Sequence, residues 1–236
     1  MILKIILITL ASLITIVAIA YAYLGYIFNR VPQAKADGIR VACVGDSITQ
    51  GMGVMFDHMS RNSYPALLQG LLGKKYQVLN YGHSSRTLLN SGDYPYHNSP
   101  FFTASIRSDP AIVLIMLGTN DSKPQNWKST DYERELGEFV ETYKNLLSNP
   151  TVYLLTPPTA FLRKGKKEVA FKISNVIIEN EIIPIVKNVA EKMKAPIIDI
   201  FSATKIYPEY FPDGVHPNAV GNKVIAETVL TALNQP

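Results

Sequence analysis

Ser47, Asp213 and His216 are of the types, and sit in the local contexts, that acyl transfer requires. That chemistry needs a nucleophile, a base, a group that orients the base, and donors for the oxyanion. Ser47 follows the run Val41-Ala42-Cys43-Val44-Gly45-Asp46 and could supply the hydroxyl. His216 has Asp213 ahead of it with Gly214 between. A turn at Gly214 can bring that carboxylate to one ring nitrogen and leave the other to take the serine proton. This is the logic of a catalytic triad with two members in one short loop. Gly82 offers a backbone N–H with no Cβ in the way, and Asn120 offers a side-chain amide. Each of these residues alone is also an ordinary cap or turn residue. What gives them weight is that four such positions have complementary roles.

The elements that must position them follow from the pattern of the chain. The run 39–44 is short and rich in β-branched residues, the mark of a buried strand, and 76–81, 111–117 (the most apolar), 152–155 and 197–200 read as four further strands. Helical patterns fall at 63–72, 132–147, 169–194 (divided by Pro184) and 219–233. Strands alternating with helices predict an α/β fold, a single three-layer domain with a five-stranded parallel sheet. The polar motifs lie just after strand ends or just before the last helix, so they share one edge of that sheet. The stretch 88–109 is polar and aromatic, holds Pro95 and Pro100, and reads as a long binding loop. His97, Tyr94, Tyr96 and Phe101 in it could line a cleft or simply pack. Asp121 is expected to hold the loop around Asn120, and Trp127 to form a rim of the pocket.

Residues 5–28 are uncharged and mostly aliphatic, with Tyr21, Tyr23 and Tyr26 near the end. The stretch 1–28 is therefore expected to be an N-terminal transmembrane helix and membrane anchor, with a cleavable signal segment as the competing reading. Residues 29–38 read as a linker and 39–236 as the catalytic domain. Lys4 flanks one side of the apolar run, and Arg30, Lys35 and Arg40 the other, so charge alone does not set orientation.

Composition narrows the function classes. The chain has 236 residues, 47% of them apolar, with a net charge of +4. Lysine and arginine are dispersed except at Arg163, Lys164, Lys166 and Lys167. Such a cluster is usually a solvated loop, with a weak attraction for anionic glycans or headgroups, and it is too short for a nucleic-acid stripe. Cys43 is the only cysteine, which excludes an intrachain disulfide and a cysteine-based metal site. His58 and His83 lack metal-ligand spacing, so no metal and no cofactor are expected. The Gly51-Met52-Gly53 stretch has no Gly-Lys-Ser/Thr after it, so it is not a phosphate loop.

Gly45-Asp46-Ser47-Ile48, then Gly82, then Gly118-Thr119-Asn120-Asp121, then Asp213-x-x-His216 resemble, in order, the four blocks of the SGNH (GDSL) hydrolases. The likeness covers roughly residues 39–236. It implies a flavodoxin-like sheet and metal-free, serine-dependent ester hydrolysis. Ser47 would be the nucleophile and His216 the base, oriented by Asp213. The oxyanion hole would be the N–H groups of Ser47 and Gly82 with the Asn120 amide. The chain is also similar to bacterial carbohydrate and sialate O-acetylesterase-like members, which implies a glycan ester as substrate and a domain outside the cytoplasm. A lysophospholipase or thioesterase is the nearest alternative. A non-catalytic glycan-binding homologue is the alternative from another class.

Overall fold

The computed structural model describes residues 2–234. They divide into two units, one ending at Val31 and the other beginning at Pro32.

The first unit is a helix, α1 (Ile2–Phe28). Its described side chains Leu10, Leu13, Ile14, Ile16, Val17 and Ile19 are exposed. Among the described residues, however, no helix is long and apolar enough to cross a membrane. The expected transmembrane helix, and with it the membrane partner, is corrected accordingly.

In chain order the second unit holds β1 (Ile39–Gly45), the short α2 (Ser47–Gln50), α3 (Met59–Asn62), α4 (Tyr64–Leu72) and β2 (Tyr76–Gly82). Then come α5 (Pro100–Arg107), β3 (Ile112–Met116), α6 (Ser129–Lys144), β4 (Thr151–Leu155), α7 (Asn175–Ile177) and α8 (Ile183–Lys192). The last elements are β5 (Ile197–Ile198), α9 (Ile200–Thr204) and α10 (Ala219–Leu233). The strands form one parallel sheet in the order β2-β1-β3-β4-β5. The chain moves from β1 out to β2 and then back across to β3. The strand order therefore reverses between β1 and β3, and a crevice opens beyond their carboxyl ends, where such sheets take their ligands.

The centre of the sheet is buried on both faces, which is why 41–44 of β1 and 113–116 of β3 read as continuous apolar runs. Val41 and Cys43 of β1 and Leu114 and Met116 of β3 pack with Tyr64 and Leu68 of α4 and Ile225 and Val229 of α10. Each fully buried aliphatic side chain of this kind contributes about 1.5–3 kcal/mol. The intervening residues Ala42, Val44, Val113 and Ile115 point to the other face and are equally buried. One buried polar residue ties this layer to the crevice. Asn222 of α10 accepts from the Tyr64 N–H (2.9 Å) and donates to the Pro217 carbonyl (2.8 Å).

Several elements differ from the sequence pattern, each for a local reason. The stretch 88–109 is not all loop. Ser99 accepts from the Phe101 N–H and, with Pro100 in the first turn, starts α5. The helical pattern at 169–194 does not begin until α7, because Phe171 and Lys172 both have φ of 60°. Pro184 is accommodated by a π-turn over Ile178–Ile182, which rearranges the bonds its missing N–H would disturb. The strand pattern at 197–200 is only partly a strand. Asp199 caps α9 by accepting from the Ser202 N–H, so Ile200 turns into a helix.

Candidate active site

The carboxyl end of β1 passes directly into α2, with Asp46 as its cap. Asp46 Oδ1 accepts from the Ile48 N–H at 2.9 Å. This sharp exit leaves Ser47 at the first turn of α2, facing the crevice. Burial pushes the Asp46 carboxyl up to about 6, against the pull of the Ile48 N–H and of His216.

Across the crevice, residues 213–217 form the turn that precedes α10. Asp213 Oδ1 accepts from the N–H groups of Val215 (2.8 Å) and His216 (2.7 Å). Gly214 has a φ of 90°, and a Cβ there would lie 2.3 Å from the Phe161 carbonyl oxygen, so only glycine closes this turn. The folded-back turn puts Asp213 Oδ2 at 2.6 Å from His216 Nδ1, and His216 Nε2 at 2.9 Å from Ser47 Oγ. Burial raises the Asp213 carboxyl, but the hydrogen bonds from His216 outweigh it and hold the group down at about 2. Asp213 is therefore ionised at any ordinary pH. Its charge favours the tautomer in which Nδ1–H donates to Asp213 and Nε2 is free to accept from Ser47.

Asn120, beyond the end of β3, comes to the same place. Its Nδ2 donates to the Arg86 carbonyl at 3.1 Å and reaches Asp46 Oδ2 at 3.4 Å. Its own carbonyl accepts from Asn126 at 3.0 Å. Asp121 turns away and accepts from the Leu88 (3.0 Å) and Leu89 (2.8 Å) N–H groups. It thus anchors the long segment after β2. Burial pushes Asp121 up to about 7, against those same N–H groups.

Gly82 is placed differently from the sequence expectation. Its N–H donates to Asn80 Oδ1 at 2.9 Å. A Cβ on Gly82 would lie 2.1 Å from the Gln50 backbone nitrogen. Glycine is required there because the end of β2 lies flat against α2. The residues that line the pocket from this side are Ser84 and Ser85. Ser84 is fastened by Gln50 Oε1, which accepts from its N–H at 3.0 Å. Ser85 has a φ of 65°, a conformation uncommon outside glycine, asparagine and aspartate.

The pocket over Ser47 holds about 180 Å3 and is closed by Met52, Lys123, Phe171 and Ile173. The Phe171 ring stands edge-on to His216, 5.3 Å between centroids. Lys123 is largely buried and pairs with Asp93 at 3.6 Å. Trp127 does not line this pocket. It donates to Glu181 Oε2 at 2.7 Å and packs on Tyr132. His83 lies behind, its Nδ1 2.7 Å from Ser99 Oγ. Burial, then Arg86, holds it down at about 4, so it is neutral. His58 is exposed and His97 packs at a tilt against Phe102. Among the described residues no three His, Cys, Asp or Glu side chains gather as a metal site.

Ser84, Ser85, Phe171 and Ile173 are pocket residues that sequence reasoning missed. Ser84 and Ser85 belong to the polar run that follows β2, and that run was their signal. Phe171 and Ile173 carried none, because the helical pattern at 169–194 masked the break.

The model of the GDSL-like Lipase/Acylhydrolase family matches residues 43–224. The chain is 36% identical over 229 residues to an acetylxylan esterase of Xylanibacter ruminicola, a match covering 89% of this chain and 46% of that protein. It therefore spans less than half of that relative's length. A GDSL esterase/lipase of Arabidopsis thaliana is 25% identical over 222 residues, covering 83% of this chain and 86% of that protein. Among solved structures, an acetylxylan esterase from Geobacillus stearothermophilus superposes with a TM-score of 0.66 at 22% identity, covering 85% and 96% of the two chains.

Proposed function

Because the chain belongs to the GDSL-like lipase/acylhydrolase family, we propose that it is a serine esterase that removes short acyl groups, acetyl foremost, from a carbohydrate. The observation that carries this reading is the line of two hydrogen bonds from Asp213 through His216 to Ser47, 2.6 and 2.9 Å long. The similarity to the Xylanibacter acetylxylan esterase supports the carbohydrate half.

In this reading Ser47 Oγ attacks the acyl carbonyl carbon while its proton passes to His216 Nε2. The imidazolium is stabilised by Asp213, which stays ionised. The developing oxyanion is held by the Ser47 N–H and by Asn120. The 3.4 Å contact of the Asn120 amide with Asp46 is long, so that hydrogen is the one a substrate carbonyl can take over. Gly82 has its N–H committed to Asn80, so we assign the third donor to the Ser85 backbone instead. Ser85 lines the pocket, and its N–H has no partner among the described residues. Collapse of the intermediate expels the sugar oxygen, which takes the proton from Nε2. Water, deprotonated by the same nitrogen, then releases the acid from acyl-Ser47.

A pocket of about 180 Å3 leaves no room for a long acyl chain. This weighs against the lysophospholipase and thioesterase readings. The test is release of acetate from acetylated xylo-oligosaccharides by the full chain and by Ser47→Ala, with p-nitrophenyl acetate, butyrate and octanoate alongside. Acetate release that depends on Ser47, with acetate the preferred p-nitrophenyl ester, is the expected result. Preference for octanoate, or undiminished release by Ser47→Ala, would overturn the reading.

A further inference from the structure

The catalytic pocket is smaller than the roughly 300–1,000 Å3 of typical small-molecule sites, so most of any glycan must lie outside it. The neighbouring surface shows where. After β4, the chain between Thr159 and Ser174 crosses the carboxyl edge of the sheet as a strap. It is pinned at one end by the Phe161 N–H, which donates to the Gly214 carbonyl at 2.7 Å. At the other end the Ser174 N–H donates to Ser122 Oγ at 3.1 Å. Between these pins lie Phe171 and Lys172, both with φ of 60°. Two successive non-glycine residues in this sparsely populated region are strained, and such strain gathers at ligand clamps.

The strap separates the catalytic pocket from a second cleft of about 550 Å3, and Ile173 lines both. The second cleft is lined by Leu162 and Val176, which are exposed, and by Lys167 and Lys172. Among the described residues neither lysine has a carboxylate partner. Lys164 and Lys166 add charge of the same sign to the strap, against Glu168 as the one acid lining the cleft. Exposed apolar side chains beside such cations, next to an acyl-transfer pocket, suit a sugar chain that carries carboxylates.

We propose that this cleft is a subsite for the flanking residues of an acidic glycan. In it Leu162 and Val176 lie against sugar-ring faces, and Lys167 and Lys172 hold the carboxylate of a uronic acid. The proposal rests on the carbohydrate-ester reading for the identity of its ligand, but its test does not require turnover. The full chain carrying Ser47→Ala is titrated calorimetrically with a xylo-oligosaccharide bearing one uronic acid. The same oligosaccharide with that carboxyl reduced to an alcohol is the comparison. Charge-assisted contacts of this kind predict about a tenfold preference for the acidic ligand, weakening with salt. Adding Lys167→Gln and Lys172→Gln should abolish the preference without shifting the melting temperature. Equal affinity for the two ligands, no binding of either, or a preference that survives both substitutions would overturn the proposal. So would binding to anionic phospholipid vesicles but not to the oligosaccharide. Acidic preference without acetate release by the unmutated chain would sink only the esterase reading. Acetate release without acidic preference would sink only the subsite.

Discussion

On one side of the catalytic pocket, β1, α2 and the 213–217 turn hold Asp46, Ser47, Asp213 and His216 through bonds of 2.6–2.9 Å, several of them to backbone N–H groups. On the other side, the strap presents an exposed Phe171, strained backbone and, in Lys167 and Lys172, lysines with no carboxylate partner among the described residues. The difference separates two tasks. Proton transfer needs reacting atoms held within a fraction of an ångström, and bonded short turns at strand ends provide that. Recognition of a variable polymer needs area and charge near the reacting atoms, and an exposed strap provides that. The first side can be disturbed only at the expense of rate. The second can be altered with effects confined to the choice and affinity of ligand.

The largest effects should come from the bonded side, in a fixed order. Asp213→Asn should lower kcat by roughly ten-thousandfold, because an amide no longer enforces the required imidazole tautomer. Asn120→Ala should lower it by roughly a hundred- to a thousandfold, the range for loss of one oxyanion donor. Kinetics on p-nitrophenyl acetate measure both. If Asn120→Ala kept the full rate, the amide would be a loop fastener for Arg86 and Asn126 and nothing more.

A smaller effect sharpens the contrast between two carboxylates of this region. Asp213 is held down at about 2, so its contribution to stability is present above the ordinary carboxylate value of about 4 and is lost only as pH falls through about 2. Asp121 is pushed up to about 7, so its contribution is fully present below about 4 and is lost as pH rises through about 7. Between pH 5 and 8 the melting temperature should therefore fall, relative to that of Asp121→Asn, by a few °C, on the order expected for 1–2 kcal/mol in a domain of this size. In Asp121→Asn the decline should be flatter. An unchanged slope would mean that Asp121 stays ionised in the folded chain throughout that range.

The parts of this arrangement that could be read from sequence are those fixed by short-range chemistry. Residues 41–44 of β1 and 113–116 of β3 are buried on both faces and so appear as unbroken apolar runs. The Asp213-x-x-His216 turn announced itself through Gly214. What could not be read depends on contacts distant in the chain. The role of Gly82 is set by α2 lying against it, and its N–H is occupied by Asn80, so a bare glycine after a strand looked like a donor. The position of Phe171 is set by two left-handed residues in a stretch whose helical pattern is otherwise sound. The Ser99-Pro100 start of α5 was present in the sequence, but it was hidden in a stretch whose aromatic residues suggested a loop. The apolar run near the amino terminus forms a helix, but among the described residues no helix is long and apolar enough to cross a membrane.

The most direct test of the account is covalent. The full chain would be treated with a fluorophosphonate, which transfers its phosphonyl group to an activated serine, and the adduct would be located by mass spectrometry. The account predicts one adduct, on Ser47, formed in step with loss of esterase activity and suppressed in His216→Ala. An inactivated enzyme with Ser47 unmodified, or labelling of Ser47 undiminished in His216→Ala, would contradict it.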